Sequence, residues 1–376
     1  MPPAPPGRGP RARSPVFYNP AMAGDRDLGV SLVRAWAGLA GGRTGWEVTA
    51  ATGVRGLRLV RESAAFDRFL LTEANPTAAE VLRRNAGRVA GAVAAERDGR
   101  GLPGEAPFDY VDVDPYGSPV PFLGTALRAV RPGGLLAVTA TDMMVLAGVQ
   151  PGAAEARYGA RPVRGRLGPE GGLRILLGYL AHQARSLGRR VRPVLAYVRD
   201  HHVRAYVEVT EGGEDTPGPI AAIVPAFWHG PRLGERGPYG PLWLGPLFDA
   251  SLVRRLEVPM AAAEPRSTAT FLDRVREELA ADVPFYYEPN ELSRALGLAS
   301  PPSRAALFER LRDRGYRAAR THARAEGFRT DAPREEVEAA ARALAPGGRR
   351  EGLAGASVSP RTPGSGRSSA PPAGSP

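Results

Sequence analysis

The stretch Phe108-Asp109-Tyr110-Val111-Asp112-Val113-Asp114-Pro115-Tyr116-Gly117-Ser118-Pro119 leaves this chain few folds to choose from. Its apolar, β-branched alternation runs up to Asp114, and Pro115, Gly117 and Pro119 then forbid further regular structure. Such a strand delivers one carboxylate to its own carboxyl end. In an open α/β sheet that edge is the ligand crevice. Taken alone, the same residues also fit an ordinary strand-end acid followed by a proline turn.

The flanking segments repeat a strand–loop–helix pattern. Residues 46–50 read as a strand that opens into Ala51-Thr52-Gly53-Val54-Arg55-Gly56, and residues 57–60 continue as a helix. Gly53 and Gly56 let backbone approach a ligand closely. The dinucleotide fingerprint G-x-G-x-x-G is absent, which disfavours a nicotinamide cofactor. A second strand over 66–73 ends in Glu73, twenty residues after Gly53. A carboxylate there commonly accepts hydrogen bonds from a ribose diol, the alternative being an exposed strand-end charge. Asn75-Pro76-Thr77 caps a helix reaching residue 85. A short third strand precedes Asp98-Gly99-Arg100; after the Asp114 strand come a helix over 121–130, a turn at Arg131-Pro132-Gly133-Gly134 and a strand over 135–142.

Upstream, residues 28–39 show helical spacing, and Phe17-Tyr18-Asn19-Pro20 forms either an aromatic turn beside a site or a hydrophobic staple ahead of that helix. Downstream, residues 149–169 carry Tyr158 and four arginines and are long for a connection, which makes them a candidate substrate loop. A helix over 170–187 and strands over 194–198 and 203–209 close the sheet. Glycine, proline and acids at 211–219 mark a linker. The aromatic segment 237–247 is expected to pack between domains, because Trp and Leu at that density are usually buried. Helices are expected at 268–281, 290–296, 302–314 and 334–344, and residues 290–322 resemble a winged helix-turn-helix, as an RNA surface or as an Arg-rich solvated face. The chain therefore divides into a disordered start (1–14), a sheet domain (15–212), a second domain (213–346) and a disordered tail (347–376).

Composition narrows the function. The 376 residues include no cysteine, which excludes disulfides, thiolate metal sites and cysteine nucleophiles. Five histidines show no metal-ligand spacing, so no metal is expected. No apolar run reaches membrane-spanning length and no signal peptide is visible, so a soluble cytoplasmic protein without a membrane partner is expected. The net charge is +11, of which the first fifteen residues and residues 349–376 hold +3 each, leaving +5 on the body. Every basic side chain is Arg. That reflects genomic base composition more than function, but it leaves a surface suited to bidentate phosphate contacts.

Asp114-Pro115-Tyr116 resembles the Asp/Asn-Pro-Pro-aromatic signature of methyltransferases acting on exocyclic amino groups of bases. In that chemistry an aryl amine has its lone pair delocalised into the ring. A carboxylate (Asp114) and a backbone carbonyl (Pro115) accept its two N–H bonds and localise the pair, while an aromatic (Tyr116) stacks on the base. Over nearly the whole ordered chain the sequence resembles the tRNA (guanine-26 N2) dimethyltransferases in their archaeal-type form. The resemblance rests on residues 15–20 with Arg26-Asp27, on 51–56, 112–119, 139–142, 200–205 and 239–247, and on Arg320-Thr321-His322. It implies an α/β fold: a Rossmann-like class I methyltransferase domain using S-adenosylmethionine, followed by a smaller α+β C-terminal domain. It further implies that Arg26 and Arg55 contact the cofactor, that Glu73 binds its ribose, that Asp98 and Gly99 address the adenine, and that Asp114 faces N2 of guanine in tRNA. The family usually has Asp where Glu73 stands, the segment before Asp98 is compressed, and the cysteine cluster of some members is missing, so no zinc requirement carries over. A methyltransferase acting on DNA adenine or protein glutamine, or a non-catalytic tRNA-binding protein, is the competing reading. Oligomeric state and the number of methyl groups added stay open.

Overall fold

The computed structural model describes residues 16–41, 43–212, 220–221 and 238–345. The expected disordered ends, and most of the linker, lie outside them. Seven strands make the main sheet: β1 (Thr44–Glu47), β2 (Arg68–Glu73), β3 (Ala92–Glu96), β4 (Phe108–Val113), β5 (Val130–Ala140), β6 (Arg189–Arg199) and β7 (His202–Glu211). Their order is β3-β2-β1-β4-β5-β7-β6, with only β7 antiparallel to its neighbours. The chain crosses over from β3 to the far side of β1, which opens the crevice between β1 and β4 at their carboxyl ends. β4 occupies the middle of the sheet, and Tyr110, Val111 and Val113 are wholly buried.

Helices α1 (Ala23–Ala40), α2 (Val54–Ser63), α3 (Pro76–Ala86), α4 (Val120–Ala129), α5 (Met143–Leu146), α6 (Pro151–Tyr158) and α7 (Gly168–Arg185) accompany the sheet. The Asn75 side chain caps α3 by accepting from Thr77 N at 3.0 Å. Thr72 locks β1 to β2: its hydroxyl accepts from Trp46 Nε1 at 2.9 Å and lies 2.9 Å from the Val48 carbonyl.

Two segments differ from the sequence expectation. Residues 131–134, read as a turn, lie inside β5. Phe108 pairs with Val130 and Tyr110 with Leu135, so a bulge absorbs three extra residues of β5. Arg131 anchors that bulge on the Asp109 carboxylate. Residues 149–169, read as a loop, contain α6 and a 3-10 turn at Gly165–Leu167. Buried Ala154 and Tyr158 give α6 its inner face.

Beyond the sheet come the short pair β8 (Ile220–Ala221) and β9 (Leu242–Trp243), then α8 (Ala250–Arg254), α9 (Pro265–Glu278), α10 (Pro289–Leu296), α11 (Arg304–Asp313), the hairpin β10 (Ala318–Arg320) and β11 (Phe328–Thr330), and α12 (Arg334–Ala343). One apolar cluster contains the sheet and also takes in Leu242, Trp243, Leu247 and Phe285; a second is built from Leu292, Leu307, Leu311, Phe328 and Val337. A buried ionic chain joins them. Arg329 of β11 bonds Glu170 of α7 at 2.9 and 3.0 Å and also pairs with Glu278 of α9. Glu278 accepts in turn from the His322 backbone N at 2.7 Å.

Candidate active site

β4 ends at Val113, and Asp114 is the next residue. Pro115 cannot donate to a ladder, so the chain leaves the sheet there. The loop that follows is pinned at both sides: Gly117 N donates to Thr141 Oγ1 at 2.7 Å, and Thr141 N donates to the Gly117 carbonyl at 3.0 Å. Ser118 Oγ lies 3.0 Å from the hydroxyl of Tyr158, which also donates to Asp142 at 2.9 Å. Helix α6 therefore buttresses the Asp114 loop, a role its sequence did not reveal.

The Asp114 side chain is 22 % exposed and ion-paired with the buried Arg55 at 2.7 Å. Arg55 also donates through Nε at 3.1 Å. Burial alone would raise the carboxyl pKa, but Arg55, Arg204 and the Thr139 hydroxyl together hold it below its ordinary value. Asp114 is thus ionised at neutral pH and remains open to one further donor. Arg55 Nη1 is buried without a hydrogen-bond partner, as is the Thr49 hydroxyl. Both residues line a cavity shared by Asp114, Arg26, Pro115 and Tyr116. A buried guanidinium N–H and a buried hydroxyl left unpaired cost free energy unless an acceptor arrives. A carboxylate-bearing ligand would supply it.

Arg26, at the start of α1, donates to the Asn19 carbonyl at 3.2 Å and lies over the Tyr18 ring at 5.3 Å. This holds the aromatic turn against the cavity. Phe17 and Tyr116 meet edge to face with ring centroids 6.0 Å apart. They are 49 % and 86 % exposed. Two large apolar rings left in water beside a polar cavity form a platform for a planar ligand.

The remaining expected residues sit on the same sheet edge but do not line this cavity. Both Glu73 oxygens accept backbone N–H bonds, from Ala51 at 2.8 Å and Asn75 at 2.9 Å, so the side chain braces the glycine loop; each oxygen keeps a second lone pair for a hydroxyl. Asp98 is exposed and clasped by Arg100, which lowers its pKa to about 2. Gly99 packs on the end of β1: a Cβ there would come within 2.7 Å of the Val48 carbonyl.

Sequence reasoning gave no role to three charged residues beneath Asp114. Arg204 of β7 is wholly buried and pairs with Asp112 at 2.7 Å. It also donates to Thr139 Oγ1 at 2.5 Å, and its charge and that hydroxyl each hold the Asp114 pKa down. Glu47 is buried, and burial with Asp112 nearby pushes its pKa up to about 8. It is therefore protonated at neutral pH, and its Oε2 accepts from Gly56 N at 3.0 Å. An Arg between Val203 and Ala205, in the apolar first half of β7, was the available signal, since a buried cation requires a buried acid.

The family described as N2,N2-dimethylguanosine tRNA methyltransferase matches residues 10–220 and 232–342. The tRNA (guanine(26)-N(2))-dimethyltransferase of Thermococcus kodakarensis is 36% identical over 353 residues, covering 85% of this chain and 91% of that protein. That of Pyrobaculum neutrophilum is 35% identical over 346 residues, with 87% and 92% covered. Among solved structures, the complex of Trm1 from Pyrococcus horikoshii with S-adenosyl-L-methionine superposes with a TM-score of 0.78 at 31% identity, over 88% of this chain and 96% of that one.

Proposed function

This chain belongs to the N2,N2-dimethylguanosine tRNA methyltransferase family, and from that premise we propose how its residues carry out the reaction. It is an S-adenosylmethionine-dependent enzyme that methylates the exocyclic N2 of guanine in tRNA. Position 26, and two methyl groups rather than one, are the proposal its relatives support. The unpaired buried Arg55 Nη1 and Thr49 hydroxyl fit the cofactor, whose carboxylate is an acceptor of the kind they lack. When bound, the cofactor supplies an electrophilic methyl group.

The target guanine leaves the RNA stack at a cost of roughly a few kcal/mol. Tyr116, with Phe17 packed edge to face against it, stacks on the base and replaces part of the lost stacking. Asp114 accepts one N2–H bond, and the Pro115 carbonyl accepts the other. These contacts draw the lone pair out of the ring and orient it. As the N–C bond forms, N2 becomes strongly acidic, so even a carboxylate of depressed pKa takes its proton. A low pKa is an advantage here, because it keeps Asp114 unprotonated before each transfer. For the second methyl group the remaining N–H must be turned toward Asp114.

The observation that carries this reading is the ionised, partly exposed Asp114 beside Arg55 in a cavity rimmed by two bare aromatic rings. Asp114→Ala should lower transfer of labelled methyl groups to tRNA by about 100-fold or more while tRNA binding persists. Wild-type turnover in that variant would overturn the assignment. Chromatography of the digested tRNA product distinguishes monomethyl- from dimethylguanosine.

A further inference from the structure

A groove of about 710 Å³ adjoins the Asp114 cavity, with Tyr18, Thr52 and Val54 forming walls of both. Its far part lies between α2 and the end of α3 and is lined by Arg58, Arg61, Glu62 and Arg88. Glu62 is the only acid among the lining residues, and both its oxygens are taken by Arg58 at 2.7 and 2.8 Å. Arg58 in turn is saturated by Glu62 and by the buried Asp27 at 2.7 Å. Arg61 and Arg88 are exposed, and neither has an acid partner among the described residues. Many other surface arginines are paired, for instance Arg43 with Asp67, Arg83 with Glu96 and Arg314 with Glu336. Two uncompensated guanidinium groups in a groove that runs into the target cavity match a polyanion in both charge and direction.

We propose that this groove seats the phosphate backbone of the tRNA strand adjoining the target guanosine, with Arg61 and Arg88 each taking a phosphate. The strand that sends a base past Tyr18 into the cavity continues along α2. Phosphate contact there holds the register of the strand while the base is out of its stack. This inference rests on the tRNA reading above and adds the location of a contact surface to it.

The test compares wild-type protein with Arg61→Gln/Arg88→Gln, measuring the tRNA dissociation constant between 50 and 300 mM salt and the cofactor dissociation constant in parallel. The double variant should bind tRNA about tenfold more weakly near 0.1 M salt, and the slope of log K against log salt should fall by roughly 1.4–1.8, the release of two counterions. Retained cofactor affinity shows that the variant is folded. Should the double variant fail that check, the single variants should each lose roughly 0.7–0.9 of slope. A variant that is folded and binds tRNA with the wild-type constant and slope overturns the groove. If wild-type protein itself transfers no methyl to tRNA, the reading of the previous subsection fails instead.

Discussion

Asp114 is one carboxylate among several, and its neighbours decide what it can do. The Thr139 hydroxyl, held by Arg204 on the neighbouring strand, is one of the groups that lower its pKa. Thr139→Val removes that hydroxyl's hydrogen bond and should raise the Asp114 pKa. Since transfer requires the ionised form, the acid limb of the kcat/KM profile should move to higher pH. Superimposable limbs would refute that contribution. Glu47 behaves oppositely, because burial raises its pKa to about 8 from an ordinary 4.5. Between those values the folded state keeps a proton that the unfolded chain has released, so this group makes stability fall as pH rises from about 4.5 to 8. Glu47→Gln removes that slope. Its melting temperature should gain on wild type between pH 5 and pH 8, worth about 4 kcal/mol at the upper end, and parallel curves would contradict a buried neutral acid. Asp114 was legible because proline follows it. Glu47 and Asp112 were not, because nothing in an alternating strand says which acids face a buried arginine.

At the scale of elements, the catalytic edge depends on how closely α2 packs against β1 and β2. A Cβ added at Gly56 would lie 2.5 Å from Leu71 Cδ2 and 2.7 Å from Glu47 Oε2. Gly56→Ala should therefore push α2 outward, cost about 1–3 kcal/mol in thermal unfolding, and weaken cofactor binding by displacing Arg55. Unchanged stability and affinity would mean that the helix has room to spare. Most elements were legible from periodicity and punctuation: α1, α2, α3, α4 and α7 all fall where apolar spacing and capping residues place them, with ends shifted by a few residues. The bulged start of β5 was not, because Pro132 and two glycines signal a turn unless the pairing strand is known. Helix α6 was hidden too. Its helical face is short, and its value lies in a Tyr158 contact to Ser118 that spans forty residues.

At the scale of the molecule, the buried chain from Glu170 through Arg329 to Glu278 and His322 fastens the C-terminal region to the sheet. Burial would raise the Glu278 pKa, yet His322 and Arg329 bring it down to about 2. Its contribution is therefore complete above about pH 4.5 and is lost as pH falls toward 2. Glu278→Gln leaves Arg329 and His322 short of a buried acid. It should destabilise the protein by about 3–5 kcal/mol at pH 7 and speed proteolysis of the C-terminal region. A variant as stable as wild type would show that the network contributes little.

The chain's own order of residues determined the α/β class, the strand that leads into Asp114, the glycine loop and the family, because these depend on local stereochemistry and on motifs read along one dimension. Tertiary structure alone decided which charges meet. Arg204 is 92 residues from Asp112, and Arg329 is 159 residues from Glu170. Ion pairs form by distance in space, and that distance is set by the packing of the sheet and helices rather than by any spacing along the chain.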